Sequence, residues 1–123
     1  MPYESIFKPE LFSGRVIIVT GGGSGIGRCT AHELAALGAT VVLTGRRIEK
    51  LEMVDREIRE DGGEADVIAF DIRDEDAVIA SISEILKRHG KVDGLVNNAG
   101  GQFAARLEDI SNNGWNAVVA TNL

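Results

Sequence analysis

The chain has 123 residues and a formal net charge of −6, with 44% hydrophobic and 26% charged residues. This length fits one domain at most, and the composition is ordinary for a folded globular protein. The negative charge argues against nucleic acid and anionic membrane surfaces as partners, because their phosphates would repel the chain. An anion site must therefore be local, made by backbone dipoles and a few arginines.

The N-terminal residues and the cysteine content bear on cellular location. No apolar stretch approaches the length of a membrane span, and residues 1–4 lack the basic and apolar character of a signal peptide. The single cysteine, Cys29, cannot form an internal disulfide, which fits a reducing compartment. We therefore expect a cytoplasmic protein without a membrane partner.

The first part of the chain predicts an arm, a strand and a helix. Residues 1–14 have no periodic pattern, and we expect an irregular N-terminal arm there. Four consecutive β-branched apolar residues predict a buried strand over residues 15–20. Small and apolar residues at helical spacing then predict a helix over residues 25–37, which Gly38 ends in the usual C′ position.

Strands and helices continue to alternate to the end of the chain. Further strands are expected at residues 41–44, 67–70 and around 95–96, each short and almost continuously apolar. A last helix is expected after Ser111, which is a suitable N-cap. Two helices between the strands are predicted to bury apolar stripes, made of Ile48, Leu51, Val54 and Ile58 in one and Val78, Ile79, Ile82, Ile85 and Leu86 in the other.

This alternation predicts an α/β fold. Near-continuous apolar strands are typical of a parallel sheet with helices on both faces, and the doubly wound arrangement orders the four strands 3-2-1-4. Four strands make only half of a dinucleotide-binding fold, and the chain ends inside a predicted helix. We therefore expect residues 15–123 to be the first part of a longer protein, truncated at Leu123.

The run from Thr20 to Gly27, T-G-G-G-S-G-I-G, joins the first strand to the first helix. A helix N-terminus offers unpaired N–H groups and a partial positive charge, and glycines let a phosphate approach closely. A P-loop would need Lys and then Ser or Thr where Arg28 and Cys29 stand, and G-x-G-x-x-G would need glycine at position 26. The alternative interpretation is a plain tight turn.

The motif Asn97-Asn98-Ala99-Gly100 follows the fourth strand, next to the glycine run. Its amides can tie strand ends together, while the small residues leave room for a ligand; a simple turn is the alternative. T-G-x-x-x-G-I-G together with N-N-A-G resembles the short-chain dehydrogenase/reductase family over roughly residues 12–123. The resemblance implies a Rossmann-type fold, NAD(P) binding, oxidoreductase activity on a small-molecule substrate, and a homo-oligomer, tetramer or dimer, for the full-length protein.

The resemblance also assigns cofactor-binding positions at the end of each strand. They are Gly21, Ser24, Gly25, Ile26 and Gly27 after the first, Arg46 and Arg47 after the second, Asp71 and Ile72 after the third, and Asn98, Ala99 and Gly100 after the fourth. In the family, the Asp71-Ile72 position contacts adenine. A different interpretation is that Asp71 or Asp74 only caps the following helix.

The end of the second strand bears on which dinucleotide is bound. An NAD enzyme would place Asp or Glu there to accept bonds from the ribose 2′-OH, whereas this chain has Gly45 followed by Arg46. A guanidinium binds a 2′-phosphate with paired charge-assisted bonds. We therefore expect NADP(H) to be preferred over NAD(H); the alternative is that both arginines only begin a solvated helix.

The catalytic residues implied by the resemblance are mostly missing. Asn122, in its T-N-L context, matches the family's active-site asparagine, which holds a water in a proton relay. The family's serine, and its tyrosine with a lysine four residues later, have no match, because Tyr3 is the only tyrosine and Phe7 stands four residues on. We expect the chain alone to be inactive, with His32 and His89 at the surface.

Two functions of different class remain. In the first, the chain is the cofactor-binding half of an NADP(H)-dependent oxidoreductase that transfers a hydride to or from a carbonyl, an alcohol or an enoyl(-CoA) substrate. Gln102 and Phe103, after N-N-A-G, resemble the branch of peroxisomal trans-2-enoyl-CoA reductases. In the second, the 123 residues form a non-catalytic nucleotide-binding or interaction module.

Overall fold

A computed structural model describes residues 2–100 and 106–122 of the chain. Residues 2–15 form an arm without helix or strand. The strands are β1 (Val16–Thr20), β2 (Thr40–Gly45), β3 (Glu64–Ala69) and β4 (Gly94–Val96). The helices are α1 (Gly25–Ala36), α2 (Ile48–Glu60), α3 (Glu75–His89) and α4 (Asn112–Asn122), with a single 3-10 turn at Leu107–Asp109.

The four strands form one parallel sheet in the order β3-β2-β1-β4. Ile17 of β1 is in register with Val41 of β2 on one side and with Gly94 of β4 on the other. The predicted α/β fold and strand order are thereby confirmed. The glycine run and the N-N-A-G motif follow two adjacent strands, so the topology brings them to the same edge of the sheet.

Two apolar clusters cover the two faces of the sheet. On one face, Val19 of β1 and Val41 and Leu43 of β2 pack against α1 and α2, and the small side chains of Ala31 and Ala35 bring α1 close to the sheet. On the other face, Val16, Ile18 and Val42 pack against Ile85 of α3. Residues that alternate along a strand point to opposite faces, which is why one run of apolar residues supplies both clusters.

The third strand begins three residues earlier than predicted. Glu64 and Asp66 have no apolar side chain, yet both lie in β3, where Glu64 is in register with Thr40 and accepts a hydrogen bond from its hydroxyl at 3.0 Å. β3 is an edge strand of this sheet, and an edge tolerates charged side chains. The prediction from apolar runs was wrong here because pairing with β2, rather than hydrophobicity, sets where the strand begins.

The predicted helix stripes are partly wrong. Leu51, Val54 and Ile58 are buried in α2, but Ile48, its first residue, is 40% exposed because it lies one turn beyond the buried stripe. In α3 the buried residues are Ser81 and Ile85, while Ile79 and Leu86 are exposed; each lies about 100° or more around the helix from Ile85. Ser111 caps α4 as expected, accepting a bond from the Gly114 N–H at 3.0 Å.

Both histidines are less exposed than the sequence suggested. The His32 side chain is 13% exposed and its Nε2 lies 2.8 Å from Glu57 Oε2, because α1 packs beside α2. The His89 side chain is 18% exposed and its Nε2 lies 2.9 Å from Asp66 Oδ2 on β3. The expectation of surface histidines was wrong because each imidazole packs against a carboxylate of a neighbouring element.

Within the described residues, none of the helices combines the length and the hydropathy that a membrane span requires. The same residues contain no cluster of three or more His, Cys, Asp or Glu side chains placed to bind a metal ion.

Candidate functional site

The loop between β1 and α1 depends on glycine for its shape. Gly21 has a φ of 64°, in the left-handed region that side chains disfavour. Gly27 is buried, and a Cβ there would overlap the Gly21 carbonyl oxygen and lie 2.5 Å from Asn98 Nδ2. The first turn of α1 is therefore packed directly against the loop that leads into it.

The N-terminus of α1 is open. The N-cap residue, Ser24, makes no side-chain cap bond, and the first turn contains no acidic residue. The first N–H with a partner is that of Arg28, which donates to the Ser24 carbonyl at 3.2 Å. Within the described residues, the backbone N–H groups of Gly25, Ile26 and Gly27 have no acceptor. This helix end thus combines a partial positive charge with unused donors, as an anion site requires.

A hydrogen-bond network fastens the N-N-A-G motif to the glycine loop. The Thr20 hydroxyl donates to the Val96 carbonyl at 3.1 Å and accepts from the N–H groups of Asn98 and Ala99, both at 2.9 Å. The Asn98 side-chain amide donates to the carbonyls of Thr20 and Gly21, at 3.1 and 3.2 Å. Sequence reasoning anticipated that an amide would tie the strand ends, but it overlooked the central role of Thr20.

A cavity of about 390 Å³ opens at the carboxyl ends of the strands. In a doubly wound sheet, this is the edge at which ligands bind. Most of the predicted site residues line it: Gly21, Ser24, Arg46, Arg47, Asp71, Ile72, Asn98, Ala99 and Gly100. Gly25, Ile26 and Gly27 do not line the cavity. Ile26 is 78% exposed, and Gly27 packs against the Gly21 carbonyl of the loop. Asn122 lies in α4, but its side chain is outside the described part.

The cavity is cationic although the chain is acidic. In the part of the chain that the structure describes, four cationic side chains line it, those of Arg46, Arg47, Lys50 and Arg73, together with one carboxylate, that of Asp71. Sequence reasoning missed Lys50 and Arg73. The available signals were that Lys50 stands four residues after Arg46, one helical turn on, and that Arg73 stands two residues after Asp71.

Asp71 is held by Arg73 rather than acting as a helix cap. Its carboxylate accepts bonds from the Arg73 backbone N–H and Nη2, both at 2.9 Å, and from Nε at 3.2 Å. These bonds, with a smaller contribution from the positive charge of Arg46, lower the pKa of Asp71 to about 2. The cap of α3 is Asp74, which accepts from the Ala77 N–H at 3.1 Å. Asp71 is therefore ionised at neutral pH and faces the cavity.

Comparison with known proteins identifies the family of the chain. The sequence profile described as short chain dehydrogenase matches residues 15–123. The chain is 41% identical to gluconate 5-dehydrogenase of Gluconobacter oxydans strain 621H, over 94% of this chain and 46% of that protein. It is 39% identical to a probable 2,4-dienoyl-CoA reductase of Bacillus subtilis strain 168, over 85% of this chain and 41% of that protein. The chain thus spans less than half the length of these relatives.

Solved structures reproduce the fold. A citronellol catabolism dehydrogenase of Pseudomonas aeruginosa PAO1 superposes with a TM-score of 0.94 at 58% identity, over 98% of this chain and 49% of that one. A metagenomic short-chain oxidoreductase in complex with NADP gives 0.85 at 47% identity, over 90% and 51%. An NAD⁺-bound xylitol dehydrogenase gives 0.88 at 37% identity, over 92% and 44%. Sheet order, loop motifs and profile agree, and the chain belongs to the short-chain dehydrogenase family.

Proposed function

We propose that this chain is the cofactor-binding half of an NADP(H)-dependent oxidoreductase. The observation that carries the proposal is that one cavity joins two anion-binding features. The open N-terminus of α1 borders it at Ser24, and Arg46 and Arg47 border it after β2. An NADP molecule carries a pyrophosphate and a separate 2′-phosphate, so its two anionic groups need two such features.

The residues present fit a dinucleotide. The N–H groups at the start of α1 would hold the pyrophosphate, since Ser24, the N-cap of this helix, lines the cavity and makes no side-chain cap bond. Arg46 and Arg47 would bind the 2′-phosphate, and the ionised Asp71 carboxylate would accept a bond from the adenine amine. Bound at this edge, the nicotinamide ring would supply or accept the hydride.

The preference for NADP(H) over NAD(H) rests on Arg46. Relatives of this chain have been solved with either dinucleotide, so family membership alone leaves the choice open. Arg46 is exposed and, within the described residues, has neither a hydrogen bond nor an ion pair to another side chain. A guanidinium beside a cavity that makes no hydrogen bond to the protein remains available for a phosphate.

The substrate would be a small molecule with a carbonyl, an alcohol or an enoyl(-CoA) group. The relatives named above act on a sugar acid in one case and on a dienoyl-CoA in the other, which keeps both classes in the proposal. Gln102 and Phe103, the basis of the enoyl-CoA hypothesis, lie outside the described residues. A homo-oligomer and a cytoplasmic location complete the proposal.

A non-catalytic nucleotide-binding module is the second candidate, and Tyr3 is the observation behind it. Tyr3 is the only tyrosine of the chain, and it lies on the arm, outside the cofactor cavity. Its hydroxyl donates to Glu33, and this bond raises the pKa of Tyr3. A tyrosine that acts as general acid and base near neutral pH needs the opposite shift. Tyr3 is therefore unsuited to that role.

The test is the ratio of NADP⁺ to NAD⁺ affinity, measured by calorimetry on the full-length protein containing this chain. Arg46→Asp should weaken NADP⁺ binding by about 10- to 100-fold, because a charge-assisted pair is lost and a repulsive carboxylate is added. NAD⁺ binding should stay equal or improve. The control is Arg56→Asp, which makes the same charge change at an exposed residue of α2 outside the cavity.

An unchanged affinity ratio in Arg46→Asp would contradict the NADP(H) assignment. Hydride transfer is measured separately, by nicotinamide absorbance with carbonyl and enoyl-CoA substrates. A full-length protein that binds NADP⁺ tightly and transfers no hydride to either class would support the non-catalytic module instead.

A further inference from the structure

The Asp71–Arg73 pair at the mouth of the cavity has a geometry that the proposed cofactor role of Asp71 does not explain. Arg73 contacts Asp71 through its backbone N–H and two guanidinium nitrogens, at 2.9–3.2 Å. A bond from adenine to Asp71 does not by itself call for the two guanidinium contacts. The Arg73 side chain remains 46% exposed, and that of Asp71 33%, so the pair forms at the rim of the cavity and not in the core.

The charge arrangement suggests what the pair does. Asp71 is the only carboxylate among the described residues that line the cavity. Arg46 and Asp71 both line the cavity, and the residues just before them are paired: the Phe70 N–H donates to the Gly45 carbonyl at 2.8 Å. A 2′-phosphate bound at Arg46 would therefore lie within electrostatic reach of Asp71, and two like charges at short range repel each other. The guanidinium of Arg73, bonded to Asp71 through Nε and Nη2, offsets the charge of this carboxylate.

We propose that Arg73 is a specificity-determining residue that masks the charge of Asp71 and thereby permits a 2′-phosphate to bind at Arg46. This inference rests on the proposed NADP(H) function and deepens it. Arg73 acts through Asp71 and does not itself bind the phosphate, so it is a positioning residue. Its guanidinium also orients the carboxylate, because a two-pronged contact fixes the plane of both groups.

The experiment is a double-mutant cycle on the full-length protein, read as NADP⁺ and NAD⁺ dissociation constants at low ionic strength. Arg73→Ala should weaken NADP⁺ binding by about two- to fivefold and leave NAD⁺ binding nearly unchanged, because only the former carries the extra phosphate. In the Asp71→Asn background, Arg73→Ala should no longer change the affinity ratio. A merely structural Arg73 would affect both dinucleotides alike.

Two further variants serve as controls. One tests whether the charge of Arg73 is enough, and the other tests whether any exposed Arg–Asp pair has the same effect. Arg73→Lys keeps the charge and should hold the affinity ratio near that of the unmodified protein. Arg88→Ala is the matched control: it breaks an Arg–Asp pair of similar exposure, with Asp66, outside the cavity. It should leave the affinity ratio unchanged, even if it lowers stability.

The outcomes that overturn the inference are distinct from those that overturn the NADP(H) function. If Arg73→Ala leaves the ratio unchanged, or lowers it equally in the Asp71→Asn background, Arg73 does not mask Asp71. Either result leaves the NADP(H) assignment standing, provided that Arg46→Asp still reverses the preference. If the unmodified protein binds NADP⁺ no better than NAD⁺ and Arg46→Asp changes nothing, both the function and the inference fail.

Discussion

The N-termini of α1 and α3 lie at the same edge of one sheet and are built in opposite ways. α3 begins with Asp74, whose carboxylate caps the Ala77 N–H, and its first turn adds Glu75 and Asp76. α1 begins with Ser24, which makes no side-chain cap bond, and its first turn is Gly25-Ile26-Gly27 without any acidic residue. Both ends follow a strand, so position in the fold does not explain the difference.

The difference lies in where the negative charge comes from. The partial positive charge of a helix N-terminus is stabilised by acidic groups, and α3 supplies them from its own sequence. α1 forgoes that stabilisation, which we attribute to an external anion completing the end. Substitutions that give the N-terminus of one helix the residues of the other test this explanation directly.

The largest effect is expected at the third helical position, which is Gly27 in α1 and Ala77 in α3. Gly27→Ala should destabilise the protein by about 1–3 kcal/mol, because the new Cβ overlaps the Gly21 carbonyl and must push the loop away. NADP⁺ affinity should fall with it. Ala77→Gly, the reciprocal control, should cost only about 0.5–1 kcal/mol and leave NADP⁺ binding intact. Urea unfolding and calorimetry measure the two quantities.

An unchanged unfolding midpoint in Gly27→Ala would show that the loop can move away at little cost. The close packing of α1 against the loop would then not be what fixes the anion site.

The next effect is expected when α1 receives the cap of α3. Ser24→Asp should stabilise the protein by about 0.5–1 kcal/mol through the cap bond and the helix dipole. It should also weaken NADP⁺ binding by about tenfold or more, since its charge takes the place of the pyrophosphate. Ser24→Asn is the control, because it can cap without charge and should weaken binding less. Equal NADP⁺ affinity for Ser24→Asp and the unmodified protein would refute the anion role of this helix end.

The sequence predicts most of the sheet because the signals are local. Apolar β-branched runs mark β1 and β2, and the glycine and N-N-A-G motifs mark the loops that follow β1 and β4. The predicted start of β3 was three residues late because Glu64 and Asp66 have no apolar side chain. Only pairing with β2 defines them as strand residues. Position along an edge strand is thus a tertiary property.

The missed site residues have the same physical explanation. The hydroxyl of Thr20 bonds to Val96 and Asn98, which are 76 and 78 positions away in the sequence. Lys50 and Arg73 line the cavity only because the start of α2 and the end of β3 lie at the same edge of the sheet. The His32–Glu57 contact likewise spans 25 positions. Local pattern identifies which loops form the site, whereas the charges that complete it depend on how distant elements meet.

The smallest predicted effect compares the two N-cap residues when each is truncated. Asp74→Ala removes a cap bond and an acidic group from α3, and should lower the free energy of unfolding by about 1 kcal/mol. Ser24→Ala removes a hydroxyl without a side-chain cap bond, and should change that free energy by much less. Neither should alter NADP⁺ binding by as much as Ser24→Asp. Equal losses of stability would mean that Ser24 caps α1 in solution, and the case that this helix end is left open for a phosphate would fail.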